Sequence, residues 1–89
     1  MVRPEDIESY IRQGLECDHV RVAGDGHHFE AVIVSAAFRG KSRVQQHQLV
    51  YKALGERMRE EIHALSMQTL TPEEWKAQGG AGGSPAPNG

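Results

Sequence analysis

The chain lacks the features that mark several large classes of protein. Its 89 residues include a single cysteine, Cys17, which excludes an internal disulfide. No apolar run approaches the roughly 18 residues that suggest a membrane-spanning helix. Acidic residues interrupt the first stretch early, which argues against a secretory signal peptide. These absences predict a cytoplasmic protein without a membrane anchor.

Recognisable catalytic motifs are also missing from the sequence. No serine, cysteine or threonine sits in a nucleophile elbow, and there is no paired-carboxylate motif or phosphate-binding glycine loop. The "GDG" at residues 24–26 precedes a strand pattern and is typical of a turn. We therefore expect that the protein is not an enzyme.

The formal net charge of −2 argues against a protein whose main role is binding to the phosphates of nucleic acids. The charge is uneven, however, because residues 39–59 hold a single acidic residue, Glu56. The basic residues of this stretch are Arg39, Lys41, Arg43, Lys52, Arg57 and Arg59. Such a pattern usually marks a solvated helix surface, and a local basic binding face is the alternative.

Hydrophobic periodicity predicts an amphipathic helix followed by a hairpin. Ile7, Ile11 and Leu15 recur every four residues, which is typical of one helix face. Residues 19–25 alternate apolar and polar side chains, and residues 29–35 form an almost unbroken apolar run. Both segments read as strands, the second more central, joined in antiparallel fashion through the turn at residues 24–26.

A long helix over roughly residues 43–59 is predicted next, because Ser42 and Gln45 have capping-box spacing. Gly55 marks a weak point or break within it. Its expected packing stripe consists of Val44, His47, Tyr51, Leu54 and Met58. Residues 63–70 read as a third strand, and Thr71 begins a short last helix anchored by Trp75.

The element order is helix, strand, strand, helix, strand, helix. This order predicts an α+β fold, a small α/β sandwich with the helices on one face of a three-stranded mixed sheet. A right-handed crossover through the long helix makes the second and third strands parallel if they are neighbours. Residues 1–76 form this single domain, and residues 77–89, rich in glycine and proline, are predicted to be a flexible tail.

The sequence places three histidines at the heads of the two parallel strands. His27 and His28 precede the second strand and His63 opens the third, so all three reach one edge of the sheet. Solvated edge histidines and a metal site both fit this pattern. Protein zinc sites use three or four ligands, whereas a Rieske cluster uses two histidines and two cysteines. Cys17 lies beyond the far end of the first strand, so any metal here has to be shared with another molecule.

Two further histidines have other predicted roles. His19 alternates with Val20 and Val22 and is expected to be solvated. His47 lies on the expected packing stripe of the long helix, which predicts a partly buried, hydrogen-bonded ring.

Two segments, "GDGHHFEAVIVSAAFRGKSRVQQHQLVYKAL" and "EIHALSMQTLTPEEW", together resemble the BolA family, especially its short bacterial IbaG-like branch. The most specific elements are Phe38-x-Gly40-x-Ser42, Val50-Tyr51, His63-Ala64-Leu65 and Thr71-Pro72-x-x-Trp75. The resemblance runs from the first helix through Trp75 and implies a class II KH-like fold, in agreement with the element order derived above.

The resemblance also implies a function. BolA-like proteins form heterodimers with monothiol glutaredoxins of the CGFS type around a shared [2Fe–2S] cluster, for which the glutaredoxin supplies its cysteine and a bound glutathione. The ligands carried over to this chain are His63 and His28, which stands immediately before Phe29; His27 is a competing donor. The expected role is iron–sulfur cluster trafficking or iron and redox sensing.

Nucleic-acid binding is the alternative function, because the resemblance extends to transcriptional regulators and stress-response proteins. Arg39, Lys41 and Arg43 would then meet phosphates, although the chain lacks the GXXG loop of KH domains. A plain interaction domain whose histidines bind nothing is a third possibility. Homodimer formation without a partner is left open by the sequence.

Overall fold

A computed structural model describes residues 2–79 of the chain. The helices and strands follow the predicted order: α1 (Pro4–Gly14), β1 (His19–Gly24), β2 (Phe29–Val34), α2 (Arg43–Leu54), β3 (Leu65–Leu70) and α3 (Pro72–Ala77). Short 3-10 turns precede α2 and β3, at Ala36–Phe38 and Ile62–Ala64. The predicted α+β fold is confirmed. Residues 80–89, most of the segment predicted to be a tail, lie outside the described residues.

The sheet is three-stranded and mixed, in the order β1-β2-β3. β1 and β2 pair antiparallel with Gly24 opposite Phe29, and β2 and β3 pair parallel with Phe29 opposite Leu65. The apolar run of β2 is nearly continuous because its residues are covered on both faces of the sheet, by α1 and α2 on one face and by α3 on the other. Both the hairpin and the parallel crossover pair are as predicted.

The main core lies between one face of the sheet and helices α1 and α2. Pro4 begins α1, and the Asp6 side chain accepts a hydrogen bond from the Arg3 backbone N–H at 3.1 Å. Ile7 and Ile11, one turn apart, are completely buried. Burial of such a side chain contributes about 1.5–3 kcal/mol relative to leaving it exposed. The remaining buried core residues are Val20, Val22, Phe29, Ala31, Ile33, Phe38, Val50, Leu54, Met58 and Leu65.

Helix α3 covers the opposite face of the sheet. Trp75 packs there against Val32, Val34 and Leu70, which point away from α1 and α2. The prediction that all helices share one face is therefore wrong for α3. The physical reason lies in β2, whose side chains are apolar in both directions and require cover on both faces.

Helix α2 ends at Leu54, earlier than the predicted residue 59. Gly55 follows with φ of +61°, a left-handed value that glycine adopts without strain and that ends the helix. Met58 is buried as predicted, but it belongs to the turn segment after the helix.

The buried stripe of α2 also differs from the prediction. Leu54 is buried as predicted, but Gln46 and Val50 join it in the core, whereas Val44 and Tyr51 are 66% and 43% exposed. The sequence contains two apolar stripes on this helix, and periodicity alone does not decide which one meets the sheet.

Gly14 brings α1 into direct contact with α2. A Cβ atom at residue 14 would lie 2.7 Å from the Ala53 Cα atom, closer than real contacts allow. Although alanine favours helices, we expect Gly14→Ala to destabilise the fold by about 1–3 kcal/mol through overpacking. Urea unfolding measures this change, with the exposed Arg12→Ala as control. An increase in stability for Gly14→Ala would contradict the close approach.

Candidate functional site

The β1–β2 turn is held by the carboxylate of Asp25. Asp25 Oδ1 accepts hydrogen bonds from the backbone N–H groups of His27 at 2.8 Å and His28 at 2.9 Å. These N–H groups, first that of His28 and then that of His27, lower the pKa of Asp25 below its ordinary value. The carboxylate therefore stays charged and fixes the backbone of the two histidines, whose side chains are exposed.

Gly24 allows the same turn to close against the sheet. A Cβ atom at residue 24 would lie 2.4 Å from the His28 carbonyl oxygen and 2.6 Å from Phe29 Cδ1. Only glycine fits this contact without displacing backbone. Because Phe29 is buried and begins β2, His28 stands next to a firmly anchored residue.

His63 lies in the 3-10 turn Ile62–Ala64, two residues before β3 begins at Leu65. The prediction that His63 belongs to the third strand is therefore wrong. The Leu65 backbone N–H donates to the Ile62 carbonyl, which closes the 3-10 turn and delays the start of the strand. The His63 side chain is exposed.

The parallel register places the predicted ligands at one edge of the sheet. Phe29 lies opposite Leu65, His28 is one residue before Phe29, and His63 is two residues before Leu65. Adjacent strands are about 4.8 Å apart, and consecutive Cα atoms about 3.8 Å. The segments that carry His28 and His63 therefore enter the sheet side by side, at the edge that also carries His27.

An open hollow of about 230 Å³ adjoins His28. Its lining consists of Ala23, Gly24, Asp25, His28 and Glu30. Ala23 contributes only a methyl group to this lining, so the hollow beside His28 leaves room for an approaching molecule.

The donor set of the edge is too small for a metal site of its own. Within residues 2–79, no three His, Cys, Asp or Glu side chains are grouped so that they could hold a metal ion. Two imidazoles match half of the ligand set of a Rieske-type cluster. The chemistry of the edge therefore fits a metal group that a second molecule helps to hold.

Cys17 does not extend this donor set. It precedes β1 at the end remote from the β1–β2 turn, and its Sγ donates to the Leu15 carbonyl at 3.3 Å. Burial raises the pKa of Cys17 to about 11, so the sulfur is a thiol at neutral pH.

We expect Cys17 to react slowly with iodoacetamide in the folded protein. The thiolate is the nucleophile, and the raised pKa of Cys17 reduces its population at pH 8 by about a hundredfold relative to an ordinary cysteine. Mass spectrometry follows the alkylation rate, with the chain unfolded in urea as reference. The rate should still be rising with pH above 10. A fast reaction at pH 8 would refute the buried thiol.

The two remaining histidines occupy structural positions. His19 stacks on Trp75 with ring centroids 4.6 Å apart and an interplanar angle of 19°, so the prediction of a solvated ring is wrong because α3 covers this face. His47 is half-buried as predicted, and burial, followed by the charge of Arg43, lowers its pKa. Neither buried Nε2 atom has a hydrogen-bond partner within residues 2–79, which corrects the prediction of a hydrogen-bonded His47 ring.

The three basic residues predicted for nucleic-acid contact differ in their pairing. Arg39 donates from Nε and Nη2 to the Glu73 carboxylate, at 3.0 Å and 2.5 Å. This hydrogen-bonded pairing raises the pKa of Arg39 and lowers that of Glu73. Among the described residues, Lys41 and Arg43 form no ion pair. The free positive charge of this surface therefore comes from Lys41 and Arg43.

Gln46, which was not predicted from the sequence, fixes the backbone beside these cations. Its Nε2 donates to the carbonyls of Phe38 at 3.1 Å and Lys41 at 3.2 Å, and its Oε1 accepts from Thr69 Oγ1 at 2.6 Å. Its spacing could have predicted its burial, since Gln46 precedes Val50 and Leu54 by four and eight residues on the buried face.

None of the helices in the described part of the chain is long and apolar enough to span a bilayer.

Comparisons with known proteins agree with these features. A model of the BolA-like protein family matches residues 8–74. The acid stress protein IbaG of Escherichia coli K12 is 41% identical over 71 residues, which cover 79% of this chain and 84% of that protein. The DNA-binding transcriptional regulator BolA of Haemophilus influenzae is 51% identical over 55 residues, covering 62% of this chain and 53% of the regulator.

Solved structures show the same fold. A bolA protein homologue from Coxiella burnetii superimposes with a TM-score of 0.72 at 47% identity, covering 85% of this chain and 99% of that chain. Yeast Fra2 has a TM-score of 0.69 at 34% identity, covering 83% and 84% respectively. With the family profile spanning most of the described residues, the chain belongs to the BolA-like protein family.

Proposed function

We propose that this protein is a non-enzymatic partner of a monothiol CGFS-type glutaredoxin. The two proteins share a [2Fe–2S] cluster, for which His28 and His63 are the ligands from this chain, in iron–sulfur cluster trafficking or iron and redox sensing. One observation carries the proposal: the parallel register of β2 and β3 brings these two exposed histidines to one edge of the sheet.

The donor set supports a shared cluster over a resident one. Two imidazoles require completion by two further ligands, and the glutaredoxin with its bound glutathione supplies thiolates. Within this chain, Asp25 holds the turn that carries His28, while Phe29 and Leu65 anchor the two strand starts. His27, on the same turn, is the competing donor.

Imidazole ligation gives the bound cluster its distinct chemistry. A cluster with histidine ligands has a higher reduction potential than one held by four thiolates. The heterodimer is therefore electronically different from a cluster-loaded glutaredoxin homodimer.

The test is to mix the protein with a cluster-loaded CGFS-type glutaredoxin. We expect a change in visible absorption and circular dichroism that saturates at one chain per glutaredoxin, with both proteins in one species by size-exclusion chromatography. Addition of bovine serum albumin at the same concentration is the control. A spectrum that stays identical to that of the glutaredoxin homodimer would refute the proposal.

Nucleic-acid binding is a second candidate function. The name of the Haemophilus influenzae relative favours it, as do Lys41 and Arg43, which form no ion pair within residues 2–79. The net charge of −2 and the engagement of Arg39 by Glu73 argue against it.

Fluorescence anisotropy with duplex DNA at several salt concentrations tests this second candidate. Each lost phosphate contact reduces the slope of log K against log salt by about 0.9. Lys41→Ala and Arg43→Ala should each show this reduction, and Lys76→Ala on α3 should not. Equal slopes for all variants would exclude the predicted surface.

A further inference from the structure

Helix α2 presents a second apolar stripe, which faces away from the core. Val44 and Tyr51 are 66% and 43% exposed, the two exposed large hydrophobic side chains of residues 2–79. Seven residues separate them, so they lie two turns apart on the same side of the helix. The core contacts of α2 use the other side, through Gln46, Val50 and Leu54. Within the described chain, both side chains of the outer stripe remain open to solvent over a large part of their surface.

Unpaired positive charge surrounds this stripe. Lys41, Arg43 and Lys52 lie on or beside α2, and residues 41–54 include no aspartate or glutamate. In the part of the chain that the structure describes, the ion pairs involve other residues, so these three cations have no acidic partner. The surface therefore complements negative charge.

A groove runs beside the stripe. It has a volume of about 290 Å³. Its lining consists of Lys41, Gln45, Gln48, Leu49 and Lys52. The groove therefore has ammonium and amide groups around its rim and one aliphatic side chain, Leu49. A ligand that carries carboxylates around an apolar side chain would match this lining.

We propose that the outer face of α2 docks an acidic segment of a partner protein that carries an aromatic or aliphatic side chain among its carboxylates. The exposed Val44 and Tyr51 favour a protein over a nucleic acid, because phosphates gain nothing from an apolar stripe, whereas tyrosine is enriched at protein interfaces. The three cations disfavour a second copy of this chain, since a symmetric contact would bring like charges together.

This docking face is independent of the histidine edge. It uses α2, whereas His28 and His63 belong to the segments before β2 and β3. A failure of cluster sharing therefore leaves the docking test intact, and the reverse also holds.

The experiment uses the full chain labelled with ¹⁵N and two short synthetic peptides. One is rich in glutamate and carries central tryptophan and leucine residues; in the other, serine replaces both apolar residues. We expect amide shifts confined to Lys41–Lys52 and a dissociation constant between about 10 μM and 1 mM for the first peptide. The serine peptide should bind about tenfold more weakly, because it lacks the anchor.

Two double variants separate the apolar and ionic contributions. Val44→Ser with Tyr51→Ser, and Lys41→Glu with Lys52→Glu, should each weaken binding of the first peptide by about tenfold or more. Arg12→Glu with Lys76→Glu makes the same change in net charge on α1 and α3, and should alter binding by less than about twofold. Far-UV circular dichroism verifies that all three variants are folded.

Four outcomes would overturn the proposal. The first is an absence of shifts at about 1 mM peptide. The second is equal affinity for the two peptides, which would indicate charge attraction alone. The third is DNA binding that survives Val44→Ser with Tyr51→Ser while the peptide fails to bind. The fourth is a dimer of the chain alone that this same double variant dissociates, since a second copy would then occupy the face.

Discussion

Replacement of both His28 and His63 by alanine is expected to abolish the spectroscopic change that the chain produces with a cluster-loaded monothiol glutaredoxin. In the proposed heterodimer each histidine supplies one nitrogen donor, and without the two imidazoles only thiolate ligands remain for the iron. Visible circular dichroism is the sharpest readout, because it responds to the ligands and to the asymmetry of the heterodimer. The double variant should leave the spectrum of the glutaredoxin homodimer unchanged.

Single variants distinguish the roles of the adjacent histidines. His63→Ala removes a donor with no histidine beside it in the sequence, so we expect a complete loss. His27→Ala should retain the full change if His28 is the ligand. If His27 competes, His28→Ala will keep part of the change, and the added His27→Ala substitution will remove it.

The free energy of unfolding of the histidine variants is the control, because it separates the loss of a ligand from the loss of the fold. His27, His28 and His63 are exposed, so their replacement should alter the free energy of unfolding by no more than about 0.5 kcal/mol. His47→Ala, at a half-buried position on α2, serves as the matched spectroscopic control and should keep the full change. A double variant of His28 and His63 that reproduces the wild-type spectrum would show that the ligand assignment is wrong.

The sheet was predictable from the sequence because its signals are local. Alternation in β1, the glycines of the turn and the apolar run of β2 each act over a few residues, and together they specify a hairpin. The crossover through α2 then makes β3 parallel to β2. The shared edge of His28 and His63 follows from this topology, so the central feature of the candidate site was accessible without coordinates.

The incorrect predictions concern which face of a helix or strand packs against which neighbour. These contacts depend on residues that are remote in the sequence. Val44 and Tyr51 have core-like spacing, but α2 turns Gln46 and Val50 toward the core instead. His19 alternates with buried valines as a solvated residue would, yet Trp75 of α3 stacks on it. Periodicity identifies an apolar face and leaves its partner undetermined.

The start of β3 was missed for a local reason. A 3-10 turn and the first residues of a strand have similar short apolar sequences, and Ile62, Ala64 and Leu65 fit both. The structure has the turn, because the backbone N–H of Ala64 donates to the Glu61 carbonyl and that of Leu65 donates to the Ile62 carbonyl. His63 therefore sits on a short turn ahead of the strand, at the edge where it was expected.

Gln46→Leu is expected to cause the largest loss of stability among the substitutions on α2. The side chain is 7% exposed and satisfies three buried or half-buried partners: the carbonyls of Phe38 and Lys41 and the hydroxyl of Thr69. Leucine keeps the volume but removes the partner of the Lys41 carbonyl and of the Thr69 hydroxyl, whereas the Phe38 carbonyl still accepts from the Lys41 backbone N–H. Each unpaired buried polar group costs about 1–3 kcal/mol, so we expect a total loss of about 2–4 kcal/mol, measured by urea unfolding.

A double-mutant cycle with Thr69→Val tests whether this cost comes from unpaired polar groups. Thr69 is completely buried, so removal of its hydroxyl in the Gln46→Leu background eliminates one unpaired group. The double variant should be more stable than the sum of the two single changes predicts, by about 1 kcal/mol. Strict additivity would show that the hydrogen bond between these side chains has no energetic role.

The same substitution should loosen the loop that carries the cations of α2. Gln46 is the described side chain that binds the Lys41 carbonyl, and Gly40, with φ of +74°, gives the preceding backbone little restraint of its own. Faster amide hydrogen exchange at residues 39–42 should therefore accompany Gln46→Leu, while exchange in β1 and β2 changes only with global stability. If that loop keeps its protection, the Gln46 amide stabilises the core without ordering the basic surface, and the hydrogen bond from the Lys41 N–H to the Phe38 carbonyl together with the Ser42 cap positions Lys41.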